Sequence, residues 1–199
     1  MSIPTGKFQE YVLSAHEGFN EPAMREAFAQ AVPLKTVVIY CLDPRVTEIP
    51  QAVAAYLGDE TYPGEVIINE SGSRVGSTTT LTAVAVAAGR AVDAIRSVSV
   101  LEHLFGVRNI VVVHHSNCGG TSYSAEGMIE SFHHEHGTDI SHAYDAGSVC
   151  ITDFEASLTY DTKLLRSSPG VPKEATILGL FYNTDTGELT EVVRNEGVS

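Results

Sequence analysis

Two short stretches carry residue types that do chemistry. One is Cys41-Leu42-Asp43-Pro44-Arg45 and the other is His115-Ser116-Asn117-Cys118-Gly119-Gly120. Imidazole nitrogen and thiolate sulfur are the usual protein ligands of zinc. His-x-x-Cys on one loop can turn both side chains toward one point, although alone it is a weak signal. Cys41 strengthens it if its own loop lies at the same edge of the fold. Cys41, His115 and Cys118 are therefore candidate zinc ligands. Three protein ligands leave a tetrahedral ion one open position, the arrangement of a catalytic site. A structural site would want a fourth ligand, and Cys150 is the available thiol.

Asp43 and Arg45 follow Cys41 by two and four residues. A guanidinium can grip a carboxylate bidentately, keeping it ionised and off a metal. Two thiolates cancel the formal charge of zinc, so such a site should acidify its water less than a three-histidine site, where the pKa falls to about 7. Asp43, held by Arg45, could accept a hydrogen bond from that water and orient it. The reaction class is metal-hydroxide attack on a small electrophile. The plain alternative is a surface Asp–Arg pair of little consequence.

Both stretches need strands to present them. The runs 34–40 and 110–113 are rich in Val and Ile and read as buried strands, each followed directly by one of the two loops. Asn20 caps a helix over 20–29, and 46–57 is a second helix ended by Gly58. The run 65–69 reads as the second strand. The polar stretch 71–80 has no core pattern, and 82–88 is too Ala-rich to separate helix from strand. Ala91 to Phe105 repeats apolar residues at helical spacing and stops at Gly106. The segment 123–136 could be helical, and 153–166 is a helix. A strand over 176–182, a turn over 183–187 and a short strand over 188–193 close the chain as a β-hairpin. Alternating strands and helices predict an α/β fold, a mostly parallel central sheet flanked by helices with that hairpin at its end. Ligands in such sheets bind outside the carboxyl ends of the strands, which is where Cys41 and His115 would lie. No repeat or linker divides the 199 residues, so 1–199 reads as a single domain.

Composition narrows the partners. Lysine plus arginine is 12 against 25 for aspartate plus glutamate, a net charge of 12 − 25 = −13. That field repels a nucleic-acid backbone. The longest apolar stretch, 83–89, is too short to span a bilayer. The N-terminal residues 1–7 lack the apolar core of a secretory signal. A cytoplasmic protein binding neither nucleic acid nor membrane is expected, and its three cysteines form no disulfide framework.

Cys-x-Asp-x-Arg after one strand and His-x-x-Cys-Gly after another resemble the β-class carbonic anhydrase family. The likeness extends through Asp93-Ala94-Ile95-Arg96-Ser97 and the closing 179–189 hairpin. The resemblance implies reversible hydration of carbon dioxide to bicarbonate and a proton by zinc-bound hydroxide. It implies one zinc per chain on Cys41, His115 and Cys118, with Asp43 and Arg45 beside it. It also implies a homodimer or higher homo-oligomer, and an aspartate that in some members swings onto the zinc. It further implies that Gly119 offers its backbone N–H to bicarbonate; the plain alternative is a turn glycine. The family usually has Arg-Asn-Ala-Gly after its second strand. Here Ile68-Asn69-Glu70-Ser71 stands there, and Ala-Gly recurs only at Ala88-Gly89. The material between, 70–88, reads as an insertion loop. Two rivals follow: a carbon disulfide or carbonyl sulfide hydrolase on the same site, and a weakly active zinc-binding homologue with a regulatory role. His133, His134 and His136 could hold a second metal or shuttle protons, and read more simply as solvated loop histidines.

Overall fold

The computed structural model describes residues 6 and 8–198. Of the N-terminal stretch read for a secretory signal, all but Gly6 lies outside the described residues. Seven strands are present among them: β1 (Thr36–Cys41), β2 (Val66–Ile68), β3 (Arg74–Ser77), β4 (Leu81–Val86), β5 (Asn109–His115), β6 (Thr176–Tyr182) and β7 (Leu189–Asn195). The helices are α1 (Glu21–Ala31), α2 (Ile49–Leu57), α3 (Ile95–Phe105), α4 (Ala125–His136), α5 (Ala146–Val149) and α6 (Phe154–Ser167), with short 3-10 turns between.

The main sheet has the order β4-β1-β5-β6-β7. Its first four strands are parallel, and β7 returns antiparallel along β6. The expected mostly parallel sheet with a closing hairpin is present. Strand alternation divides the core in two. Val38, Val111, Val113, Leu178 and Leu180 face Ile49 and Val53 of α2. Val37, Ile39, Ile110, Val112 and Ile177 face Val98 of α3 and Leu158 and Leu165 of α6. Each such Val, Ile or Leu, fully buried, contributes about 1.5–3 kcal/mol. Coverage of both faces is why β1 and β5 read as unbroken apolar runs.

Local signals set several helix ends. The Asn20 side chain accepts from the Ala23 N–H at 3.1 Å, and Pro22 sits in the first turn of α1, where a missing N–H costs nothing. Asp153 caps α6 in the same way through the Ala156 N–H. Gly58 and Gly106 end α2 and α3 in the left-handed conformation. No helix among the described residues is long and apolar enough to cross a membrane.

Two expectations change. The run around Val66–Ile68 is a strand, but not of the main sheet: β2 pairs antiparallel with β3 in a separate two-stranded sheet. All three β2 residues are exposed, so this strand lacks the covering layers that a parallel sheet requires. The second strand of the main sheet, in chain order, is β4. The segment 70–88 is therefore not a loop, since it carries β3 and β4. Six residue pairs join β4 to β1, from Thr36–Leu81 to Cys41–Val86. Alanine disfavours strands only weakly, and the free edge of β1 decides in favour of pairing.

Candidate metal centre

Cys41 is the last residue of β1 and His115 the last of β5, two neighbouring parallel strands. Their carboxyl ends lie at one sheet edge, and both residues are buried there. After His115 the chain turns sharply. Asn117 takes a left-handed backbone conformation with φ 58°, which asparagine tolerates better than most residues. Cys118 is thereby brought back toward the sheet, with its sulfur 3.8 Å from that of Cys41.

One ligand atom from each of Cys41, His115 and Cys118 lies within 4.8 Å of the others, and all three residues are buried. His115 Nδ1 is 2.8 Å from the Ser116 carbonyl, which accepts its proton and leaves Nε2 as the free acceptor. That Nε2 is buried and has no hydrogen-bond partner. An orphaned imidazole nitrogen facing two thiols is costly unless something binds there. A soft-ligand divalent cation fits this donor set, and zinc prefers it.

The electrostatics agree. The two sulfurs share a proton: the hydrogen bond between them pushes Cys41 well below the ordinary thiol range and holds Cys118 above it. A cation would relieve the second thiol as well, because it favours both thiolates. Burial works against a charged His115, but the nearby Cys41 sulfur and the Ser116 carbonyl favour the charge and outweigh that, so its pKa is raised.

Asp43 and Arg45 stand beside this three-residue cluster. Asp43 Oδ1 accepts from the Arg45 backbone N–H at 2.9 Å, closing a 3-10 turn over Pro44–Val46. The Arg45 guanidinium then grips the carboxylate from Nε at 3.0 and 3.2 Å and from Nη2 at 2.6 Å. Those bonds hold the Asp43 carboxyl below the usual carboxylate range. Arg45 Nη2 also donates to the Asn117 carbonyl at 3.0 Å, tying the Cys41 loop to the His115 loop.

A cleft of about 510 Å³ opens over the cluster. Its walls include Cys41, Asp43, Arg45, Ala88, Gly119 and two residues that motif spacing had not singled out, Ala87 and Tyr123. The turn 87–89 reaches this place because Gly89, at φ 70°, packs against the backbone. A Cβ there would stand 2.7 Å from the Val113 carbonyl oxygen and 3.2 Å from the Cys41 nitrogen. Gly120 is equally confined, since its Cβ would meet the Ala88 Cβ at 2.6 Å. Gly119 has open space around it.

Other candidates fall elsewhere. Ile68 lies 60% exposed in the β2–β3 hairpin. The turn after the second strand of the main sheet is Val86-Ala87-Ala88-Gly89, so the departure from Arg-Asn-Ala-Gly belongs at Val86 and Ala87. Cys150 is not part of the three-residue cluster; its carbonyl accepts from Arg90. His133, His134 and His136 are exposed in the last turn of α4, where a cation also suits the helix end. Among the described residues they belong to no group that could hold a metal.

No family profile matches the chain. A 100-residue segment is 26% identical to "Beta-carbonic anhydrase 1" of Mycobacterium tuberculosis and of Mycobacterium bovis. That segment is 50% of this chain and 59% of the length of those relatives. In three dimensions the chain is similar to the carbonic anhydrase of Streptococcus mutans, with a TM-score of 0.59 and 26% identity over 94% of this chain and 93% of that one. In sequence over half its length, and in fold over nearly all of it, the chain is similar to β-carbonic anhydrases. A carbon disulfide hydrolase also shares the fold, with a TM-score of 0.58 and 21% identity over 91% of this chain and 89% of the other. Within the β-carbonic anhydrase fold, then, the Cys41 and His115 loops occupy the sheet edge where ligand sites of parallel sheets form.

Proposed function

We propose that the chain catalyses the reversible hydration of carbon dioxide, with one zinc held by Cys41, His115 and Cys118. The observation that carries this reading is the unpartnered, buried His115 Nε2 facing two thiols beside a clamped Asp43 carboxylate. Zinc held there would supply Lewis acidity toward water. The chain supplies the rest. Asp43, ionised and therefore an acceptor only, orients an O–H donor in the cleft. Arg45 commits Nε and Nη2 to Asp43, which keeps that carboxylate from competing for the cation. The methyl groups of Ala87 and Ala88 offer an apolar wall to a small nonpolar substrate. Gly119 would turn its backbone N–H to the anionic product.

The chain assembles in this reading as a homodimer or higher homo-oligomer. Exposed Val66, Ile67, Ile68 and Val75 on the β2–β3 hairpin support that, since such a patch is unusual on a monomer. The whole chain forms one domain, with 66–77 as its added arm. A cytoplasmic location is part of the same proposal.

Stopped-flow measurement of carbon dioxide hydration, run beside metal analysis, tests the reading. Stoichiometric zinc with hydration above the buffer rate is expected. Zinc without hydration would favour a regulatory homologue, and turnover of carbonyl sulfide alone would favour the hydrolase.

A further inference from the structure

The Asp43–Arg45 pair follows Cys41 on one loop. One bond to a distant loop holds it from the other side. Arg45 is 64% exposed in its side chain, and an exposed Asp–Arg pair on one loop is normally a loose one. Here the guanidinium has a second anchor, the carbonyl of Asn117. That carbonyl is aimed by the left-handed backbone of Asn117, which only a few residue types adopt readily.

What holds Asn117 is the turn between β6 and β7. The Asn117 Nδ2 donates to Thr184 Oγ1 at 3.3 Å. Thr184 Oγ1 is 2.8 Å from Ser116 Oγ, and the Thr184 N–H donates to that same Ser116 Oγ at 2.9 Å. The turn itself is built to present Thr184. Asn183 Oδ1 accepts from the Asp185 and Thr186 N–H groups, and the Gly187 N–H donates to the Asn183 carbonyl. One continuous hydrogen-bonded path therefore runs from Thr184 through Asn117 to Arg45 and on to Asp43. It spans three elements that are distant in sequence.

We propose that Thr184, acting through Asn117, is a positioning residue for Arg45 and so for the Asp43 carboxylate. The role in turnover rests on the carbonic anhydrase reading; the hold on Arg45 does not. Thr184 touches neither the ligand atoms nor the cleft wall. Its hydroxyl and backbone fix the peptide that Arg45 grips, which keeps the guanidinium in the bidentate pose on Asp43. Without that hold Arg45 can leave Asp43, and Asp43 is free to turn.

The test uses the zinc-loaded full chain with Thr184→Val, which keeps shape and β-branching but removes the hydroxyl, and Thr184→Ser, which restores it. Hydrogen exchange at the Arg45 Nε–H, followed by nitrogen-15 NMR, reads the clamp directly. In Thr184→Val that exchange should quicken about tenfold, and kcat should fall about tenfold at unchanged KM and zinc content. Thr184→Ser should return both to the original values. Wild-type exchange at Arg45 in folded, zinc-loaded Thr184→Val overturns the proposal. So does unchanged kcat in an active enzyme whose Arg45 has loosened, or zinc loss as the sole effect. If the wild-type protein does not hydrate carbon dioxide yet Arg45 loosens, the functional reading fails and the hold on Arg45 stands. Should Thr184→Val not fold, Asn117→Gly carries the same expectations, because glycine keeps the left-handed backbone and removes only the bond to Thr184.

Discussion

His114 and His115 are neighbours on β5, both fully buried, and they meet opposite fates. His115 points to the α2 face and finds two thiols there. His114 points to the α6 face, where its Nε2 lies 3.2 Å from Asp161 Oδ2. Asp161 also receives Arg90, from Nε at 2.9 Å and Nη2 at 3.2 Å, with the two side chains only 0% and 2% exposed. Arg90 in turn donates to the carbonyls of Gly147 and Cys150. One cluster gathers ligand atoms within reach of a single cation. The other answers a buried cation with a buried anion and pins α5 beneath the turn that follows β4. Buried ionisable groups therefore serve two ends one residue apart, and the partner opposite each tells them apart. The division is not perfect, for His114 Nδ1 also lacks a partner.

Breaking either cluster should give separable results. Cys118→Ala should abolish stoichiometric zinc and with it all turnover, while unfolding of the metal-free protein changes little; metal analysis beside denaturant melts would show it. Retained zinc at full occupancy would mean that Cys118 is no ligand. Asp161→Ala should do the reverse, lowering stability by about 3–5 kcal/mol because Arg90 is left buried and uncompensated, while the folded fraction keeps its zinc. A loss under about 1 kcal/mol in urea titration would show that water reaches Arg90 after all. Asp43→Ala should keep zinc but cut kcat about 100-fold, within the range of a lost proton-handling group. Near-normal kcat would reduce Asp43 and Arg45 to a surface pair.

The smallest effect is a matter of pH. Arg45 depresses the folded-state pKa of Asp43 below the roughly 3.9 of a free aspartate. The stabilisation from that pair is therefore complete above about pH 4 and is lost only as pH falls through the depressed value. Carbon-13 NMR of the Asp43 carboxyl should follow this, and titration at or above the free value would show that Arg45 does not hold it.

Much of the site was legible because its residues are adjacent to strand ends. Cys41 and His115 each close an apolar run, and parallel neighbours bring such ends together. Asp43 and Arg45 sit two and four residues after Cys41, so their partnership is local. Ala87 and Tyr123 were not legible as cleft walls. Nothing in an alanine or a lone tyrosine marks it for a site; its place depends on which strand precedes it. The reading of 65–69 as the second sheet strand failed for a related reason. Val66–Ile68 and Leu81–Val86 are both acceptable strands by composition, and only the available edge of β1 chose between them. Placing the departure at Ile68 followed from that error.

By itself the sequence determined what the site is made of. Two thiols, an imidazole, a carboxylate and a guanidinium are chemical facts at stated positions, and residue parity along β5 already separates His114 from His115. Tertiary structure decided how those groups are held. Hydrogen bonds from Arg45 to Asn117 and from Asn117 to Thr184 join residues 72 and 67 positions apart. Contacts of that kind leave no periodicity in the chain, because they depend on where separate loops come to rest above a shared sheet edge.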